Sequence, residues 1–174
     1  EGDYERRRSE TSEAQAQANL RQQAELLAEA GVDFLLAEST GGNIHRQWVV
    51  EACVATGLPV WPGFKVRFDD GEKVLRLGYS SHQTIEEGFD EVVALGGSVV
   101  CIFHSLLREI DAALDVVRPK WQGPICVYPE AEREDYTRTY RSAMEVTLVT
   151  PEEYIAWATS CVADGVQIVG GCCG

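Results

Sequence analysis

The sequence predicts an α/β fold built on a parallel sheet. Three observations carry this reading. Short apolar runs alternate with amphipathic stretches along nearly the whole chain. The runs are continuously apolar, as in strands covered on both faces, rather than alternately polar and apolar. Glycine closes most of the amphipathic stretches, where a helix C-terminus needs it.

The elements follow in order. Thr11 to Ala30 reads as a helix, with Leu20, Ala24, Leu27 and Ala28 at helical spacing, Thr11 or Ser12 as its cap and Gly31 as its stop. Val32 to Ala37 is a buried strand that opens into a loop at Glu38. A helix covers roughly Ile44 to Thr56 and stops at Gly57. Leu58 to Val66 is a second strand, made irregular by two prolines, and Arg67 to Leu77 is a loop or short excursion with a turn at Asp69-Asp70-Gly71. Thr84 to Leu95 is a helix closed by Gly96-Gly97, and Ser98 to Phe103 is a third strand with His104-Ser105 at its end. Leu106 to Val117 is helical and stops before Pro119. Pro124 to Tyr128 is a fourth strand. Glu130 to Met144 is a polar loop with room for a short helix. Thr150-Pro151-Glu152-Glu153 combines an N-cap with proline at the first helical position, opening a helix to about Ala163. Asp164-Gly165 turns into the fifth strand, Val166 to Gly170.

Five such strands fit either an open doubly wound sheet or part of a (β/α)8 barrel. A whole barrel needs ~250 residues, and this chain of 174 has room for about five-eighths of one. One domain spanning residues 1–174 is expected.

Composition narrows the function. There are 15 basic against 28 acidic residues, for a net charge of −13. No dominant positive face can form for nucleic acid, which is therefore excluded as a partner. No apolar run approaches the ~18–20 residues of a membrane span. The Arg6-Arg7-Arg8 cluster has no apolar segment behind it, so it does not read as a secretory signal. Cys53, Cys101, Cys126 and Cys161 sit inside apolar patterns, where a thiol behaves as a small hydrophobe. A reducing cytoplasmic setting is the expectation.

Functional groups of parallel α/β folds gather at the C-terminal ends of strands. Those ends carry Glu38, the Phe64–Arg67 region, His104, Tyr128 with Glu130, and Cys172 with Cys173. The last pair stands in Gly170-Gly171-Cys172-Cys173-Gly174. Two adjacent thiols in glycine can present two sulfurs to one soft metal ion, and a catalytic zinc site takes three protein ligands with a fourth position open. His104 is the natural third ligand: it lies just past a strand, in step with Val100 and Ile102. His45 and His82 fall at helix starts and read as structural or solvated.

The Gly-Gly-Cys-Cys-Gly ending resembles the zinc motif of the homocysteine S-methyltransferases. Ala30-Gly31-Val32-Asp33-Phe34-Leu35-Leu36-Ala37-Glu38-Ser39 is similar to that family's strand-four segment, Val127-Tyr128-Pro129 to its "YPN" segment, and Thr150 to Tyr154 to the start of its last helix. The resemblance implies strands four to eight of a (β/α)8 barrel, lacking the N-terminal strands. It implies Zn2+ held by Cys172, Cys173 and His104, with Glu38 on the homocysteine amino group. The partners implied are homocysteine and a small methyl donor, with a complementing chain or a homo-oligomer to supply the missing strands. His104 stands where the family has a cysteine, Phe103 where it has asparagine, and Glu130 where "YPN" has its asparagine. Two other readings are open: a non-catalytic barrel fragment that serves as an interaction module, and a zinc enzyme that uses a metal-bound water.

Overall fold

The structure is a computed structural model, and it describes residues 11–39, 43–69, 74–78, 82–133 and 148–172. Helices begin where a side chain can take up their first unpaired amides. The Ser12 hydroxyl accepts from the Gln15 amide at 3.2 Å and opens α1 (Glu13–Glu29). Helix α2 spans Asn43–Val54. Thr84 and Thr150 form full capping boxes with Glu87 and Glu153 at the heads of α3 (Ile85–Val93) and α5 (Pro151–Ala163). Leu106, which heads α4 (Leu107–Val117), has no hydroxyl; the Glu109 carboxylate accepts its amide at 3.0 Å instead. Gly31, Gly57, Gly96 and Gly165 follow helices with positive φ, as the sequence predicts for helix stops.

The strands are β1 (Leu35–Ser39), β2 (Val60–Phe64), β3 (Val66–Phe68), β4 (Leu75–Leu77), β5 (Val100–Phe103), β6 (Ile125–Tyr128) and β7 (Ile168–Val169). Five of them form one parallel sheet in the order β1-β2-β5-β6-β7. This order follows the chain without reversal, so the sheet has no doubly wound switch point among the described residues. Nor does it close on itself: β1 and β7 are its edges.

Two expectations change in detail. The second strand, read as Leu58 to Val66, breaks at Lys65. The next amide, that of Val66, is taken by the Ser105 hydroxyl at 2.9 Å rather than by a neighbouring strand. The excursion after it is an antiparallel hairpin, β3 with β4, whose predicted turn at Asp70-Gly71 lies outside the described residues. The short helix allowed within 130–144 falls largely on residues 134–147, also outside them.

The sheet has two unlike faces. Leu35, Ala37, Val60, Phe64, Val100, Ile102, Ile125 and Val127 belong to one apolar core shared with the helices. Alternation along a strand sends the intervening residues the other way. There Val99, Cys101 and Cys126 form a separate small cluster, with Trp61, Tyr128 and Ile168 against it and no helical residue among them. This bare face also carries Phe34, stacked on Trp61 at 4.0 Å, and Leu36, which is 43% exposed. Cys53, Cys101, Cys126 and Cys161 are buried, in line with their apolar surroundings in the sequence. No helix among the described residues is long and apolar enough to cross a membrane.

Candidate metal and substrate site

The C-terminal ends of β2, β5 and β6 and the chain after β7 meet at one rim. Beyond β7 the backbone keeps running beside β6: the Gly170 amide donates to the Val127 carbonyl at 2.8 Å and the Cys172 amide to the Pro129 carbonyl at 2.9 Å. The Tyr154 hydroxyl of α5 donates to the Gly170 carbonyl and ties the approach to Cys172. Cys172 is thereby carried to the end of β5, where the His104 Nδ1 stands 3.3 Å from its Sγ.

His104 gets there by leaving the strand's alternation. Strict alternation would aim it at the helices with Val100 and Ile102, which lie in the helix-side core. That corrects the face assigned to it from the sequence. At His104 the backbone turns left-handed, with φ +49°, an uncommon conformation for a residue with a side chain. The same Nδ1 lies 2.8 Å from Glu130 Oε1. Glu130 is 6% exposed and its amide donates to the Ser105 carbonyl at 3.0 Å. Lys65, 2% exposed, places its Nζ 3.7 Å from Glu130 Oε1 and donates to the His104 carbonyl at 2.7 Å.

Two of the predicted metal ligands are therefore side by side, and the third, Cys173, lies outside the described residues. With Zn–S and Zn–N bonds of ordinary length, two tetrahedral ligands sit ~3.6 Å apart. The 3.3 Å between sulfur and nitrogen fits one edge of such a site. Among the described residues no group of three His, Cys, Asp or Glu side chains is placed to hold a metal ion. Glu38 is exposed at the C-terminal end of β1, on the bare face. Its carboxylate lies toward the Tyr128 phenol, whose oxygen makes no hydrogen bond of ordinary geometry among the described residues. Burial, and then the nearby carboxylate, push the Tyr128 phenol far up and keep it protonated. Cys101 and Cys126 face each other in register on the bare face. The interaction between the two thiols raises Cys101, with burial adding to the rise, and lowers Cys126 against the upward push of its own burial. Phe103 stacks on Tyr128 at 5.5 Å and closes against Gly63, where an added Cβ would come 2.8 Å from the Phe103 ring.

The sequence model of the homocysteine S-methyltransferase family matches residues 1–174. The chain belongs to that family. It is 27% identical over 157 residues to a selenocysteine methyltransferase of Astragalus bisulcatus and 26% identical over 155 residues to homocysteine S-methyltransferase 2 of Arabidopsis thaliana. Each match covers 88% of this chain and 44% of the relative, so the chain spans less than half the length of these proteins. The fold is that of the homocysteine methyltransferase MmuM of Escherichia coli. The metallated form matches with a TM-score of 0.62 at 18% identity, over 90% of this chain and 47% of that one. The apo form matches with a TM-score of 0.60 at 21% identity, over 91% and 51%.

In this member of the family, sequence reasoning passed over Glu109, and it placed Lys65 and Ser105 at strand ends, within Phe64–Arg67 and beside His104, without giving either a role. Lys65 had a signal: it is one of two charges, with Arg67, in the otherwise apolar run from Val60 to Phe68. Ser105, fully buried, donates to the Phe103 carbonyl at 2.7 Å and accepts from Val66, stitching β5 to the hairpin. Glu109 caps α4 and also accepts the Phe68 amide at 3.2 Å. Neither pairing leaves a trace in residue spacing, since both span about forty residues. His45 sits in the first turn of α2 with its ring edge-on to Trp48, and His82 is exposed, consistent with structural or solvated roles.

Proposed function

We propose that this chain is the thiol-activating part of a homocysteine S-methyltransferase, strands four to eight of a (β/α)8 barrel whose interior is the bare face. The observation that carries the reading is the approach of His104 Nδ1 to Cys172 Sγ, from positions 68 residues apart, at the rim where such barrels keep their chemistry. Cys172, Cys173 and His104 would hold zinc. When bound, the metal acts as a Lewis acid that lets a substrate thiol lose its proton near neutral pH.

The chain's own residues bind and orient. Glu38, at the rim end of β1, takes the ammonium group of homocysteine. The stacked Phe103 and Tyr128 rings wall off water beneath the sulfur, which favours a naked thiolate over a hydrated one. Held in line with an activated methyl group, the sulfur forms a new S–C bond as the donor–methyl bond breaks, and methionine results. The setting is cytoplasmic, and the partners are homocysteine and a small methyl donor.

Exposed apolar side chains at both sheet edges support a requirement for further strands. A groove of about 410 Å3 between α1, α2 and β1 is lined by Leu27, Phe34 and Leu36, while Ile155 and Val162 are 62% and 57% exposed beside β7. The remaining barrel strands, from a longer protein, a complementing chain or a second copy, would cover them. The same edges would serve a non-catalytic pairing module. Zinc binding separates the two readings. The purified chain should bind zinc at micromolar concentrations and lose it when Cys172 and Cys173 are both replaced by serine. A chain that binds none, with no change in the double variant, rules out the methyltransferase reading.

A further inference from the structure

We propose that Lys65 is the positioning residue of this site, the group that holds His104 in its left-handed backbone and thereby aims the imidazole at Cys172. The inference rests on the reading of His104 and Cys172 as metal ligands and extends it to a residue outside that ligand set.

Three observations converge on it. First, Lys65 is 2% exposed, and a buried ammonium persists only where oxygen atoms replace its water. Two such oxygens are the His104 carbonyl at 2.7 Å and Glu130 Oε1 at 3.7 Å. Second, His104 is the one described non-glycine residue with positive φ. Such a conformation costs free energy and persists where surrounding contacts over-determine it. The Lys65 ammonium grips the carbonyl of that very residue, while the His104 amide donates to the Tyr128 carbonyl at 3.3 Å on its other side. Third, Glu130 Oε1 lies 2.8 Å from His104 Nδ1, the nitrogen that also faces Cys172, and the Lys65 ammonium lies against the same carboxylate oxygen, so one cation grips the His104 backbone and draws on the group a metal would displace from the ring. Groups outside the ligand set that hold a metal-binding histidine in place are worth about 10–100-fold in metal affinity.

Lys65 is delivered by the break between β2 and β3. Parity along β2 puts it on the bare face with Trp61 and Gly63, at the rim. The Ser105 hydroxyl holds the adjacent Val66 amide and carries the chain away into the hairpin. The strand break is therefore part of the site: it ends β2 at the residue whose side chain must turn into the rim.

Cobalt(II) titration of the purified chain tests this, with the thiolate-to-cobalt absorption and the ligand-field bands as readouts. Lys65→Met is compared with the double variant Lys65→Met/Glu130→Gln. The second removes both buried charges, so that it folds even where the first, with a lone buried carboxylate, does not. Cooperative melting establishes folding in each case. The expected result is a loss of about tenfold or more in cobalt affinity, with shifted ligand-field bands, in whichever variants fold. Unchanged affinity and spectra in a folded variant overturn the proposal. If the wild-type chain gives no thiolate–cobalt band, the metal reading itself has failed, and positioning is judged without metal. The backbone carbon shifts of His104, one of three histidines in the chain, then report its φ. Left-handed shifts in the wild type that vanish in the double variant support the role of Lys65; left-handed shifts retained there overturn it.

Discussion

The two faces of the sheet are built to different rules. On the helix face, Phe64, Val100, Ile102 and Val127 are each at most 1% exposed and share a core with apolar side chains from all five described helices. On the bare face, cysteines, aromatics and a glycine stand beside a carboxylate, and Phe34 and Leu36 are about two-fifths exposed. The first face gives the fold its stability. The second contributes little burial and ends at the rim in charged and thiol groups, which are poor core formers and good chemists. The division shows how the same five strands separate a packed, stabilising face from one rich in thiol and aromatic groups by the alternation of their side chains.

Replacement on the helix face should produce the largest effect. Phe64→Ala removes a ring that is 1% exposed and packed on Phe89 at 5.8 Å, and should cost about 3–5 kcal/mol in denaturant unfolding. A loss below 1 kcal/mol would erase the distinction between the faces. Next is the rim. Cys172→Ser should weaken zinc binding by at least tenfold, about 1.4 kcal/mol, in competition with a chromogenic chelator, while leaving the melting temperature of the metal-free chain within a few degrees. Smaller again is an alkaline effect on the helix face. Burial pushes the Cys161 thiol up to about 11. Its folded form holds the proton more tightly than the unfolded one, so its contribution is complete below the ordinary thiol range and fades as pH rises from ~9 toward 11. Cys161→Ala should flatten the fall of melting temperature over that window; a slope equal to wild type would remove Cys161 from the account. The smallest change is expected on the bare face. Leu36→Ser, at a side chain 43% exposed, should cost at most about 1 kcal/mol in the chain alone. Its cost should grow once additional strands cover it, which a melting comparison with and without a complementing chain would reveal.

Much of the helix face was legible in the sequence, because the Thr150 cap and the glycine stops after α1, α2 and α3 are local signals, while the Thr84 capping box emerged only in the structure. The continuous apolar runs likewise revealed the parallel strands, though the first starts at Leu35 rather than Val32 and the last is two residues long. At the rim, local signals sufficed only to gather candidates. His104 was picked out as a strand-end residue, but the strand parity offered for it points to the helices. What brings it within 3.3 Å of Cys172 is a left-handed backbone that spacing does not encode. Lys65, Ser105 and Glu130 act through contacts across 25 to 65 residues of chain, and such pairings are set by strand register rather than by any neighbour in sequence.

The stack of Phe34 on Trp61 has a practical consequence. Of the four tryptophans, Trp48, Trp121 and Trp157 belong to the helical side of the molecule, while Trp61 alone lies on the open side. The chain thus carries a built-in optical gauge. With the other three indoles replaced by phenylalanine, the emission colour of Trp61 would register the arrival of whatever strand, substrate or subunit seals that surface.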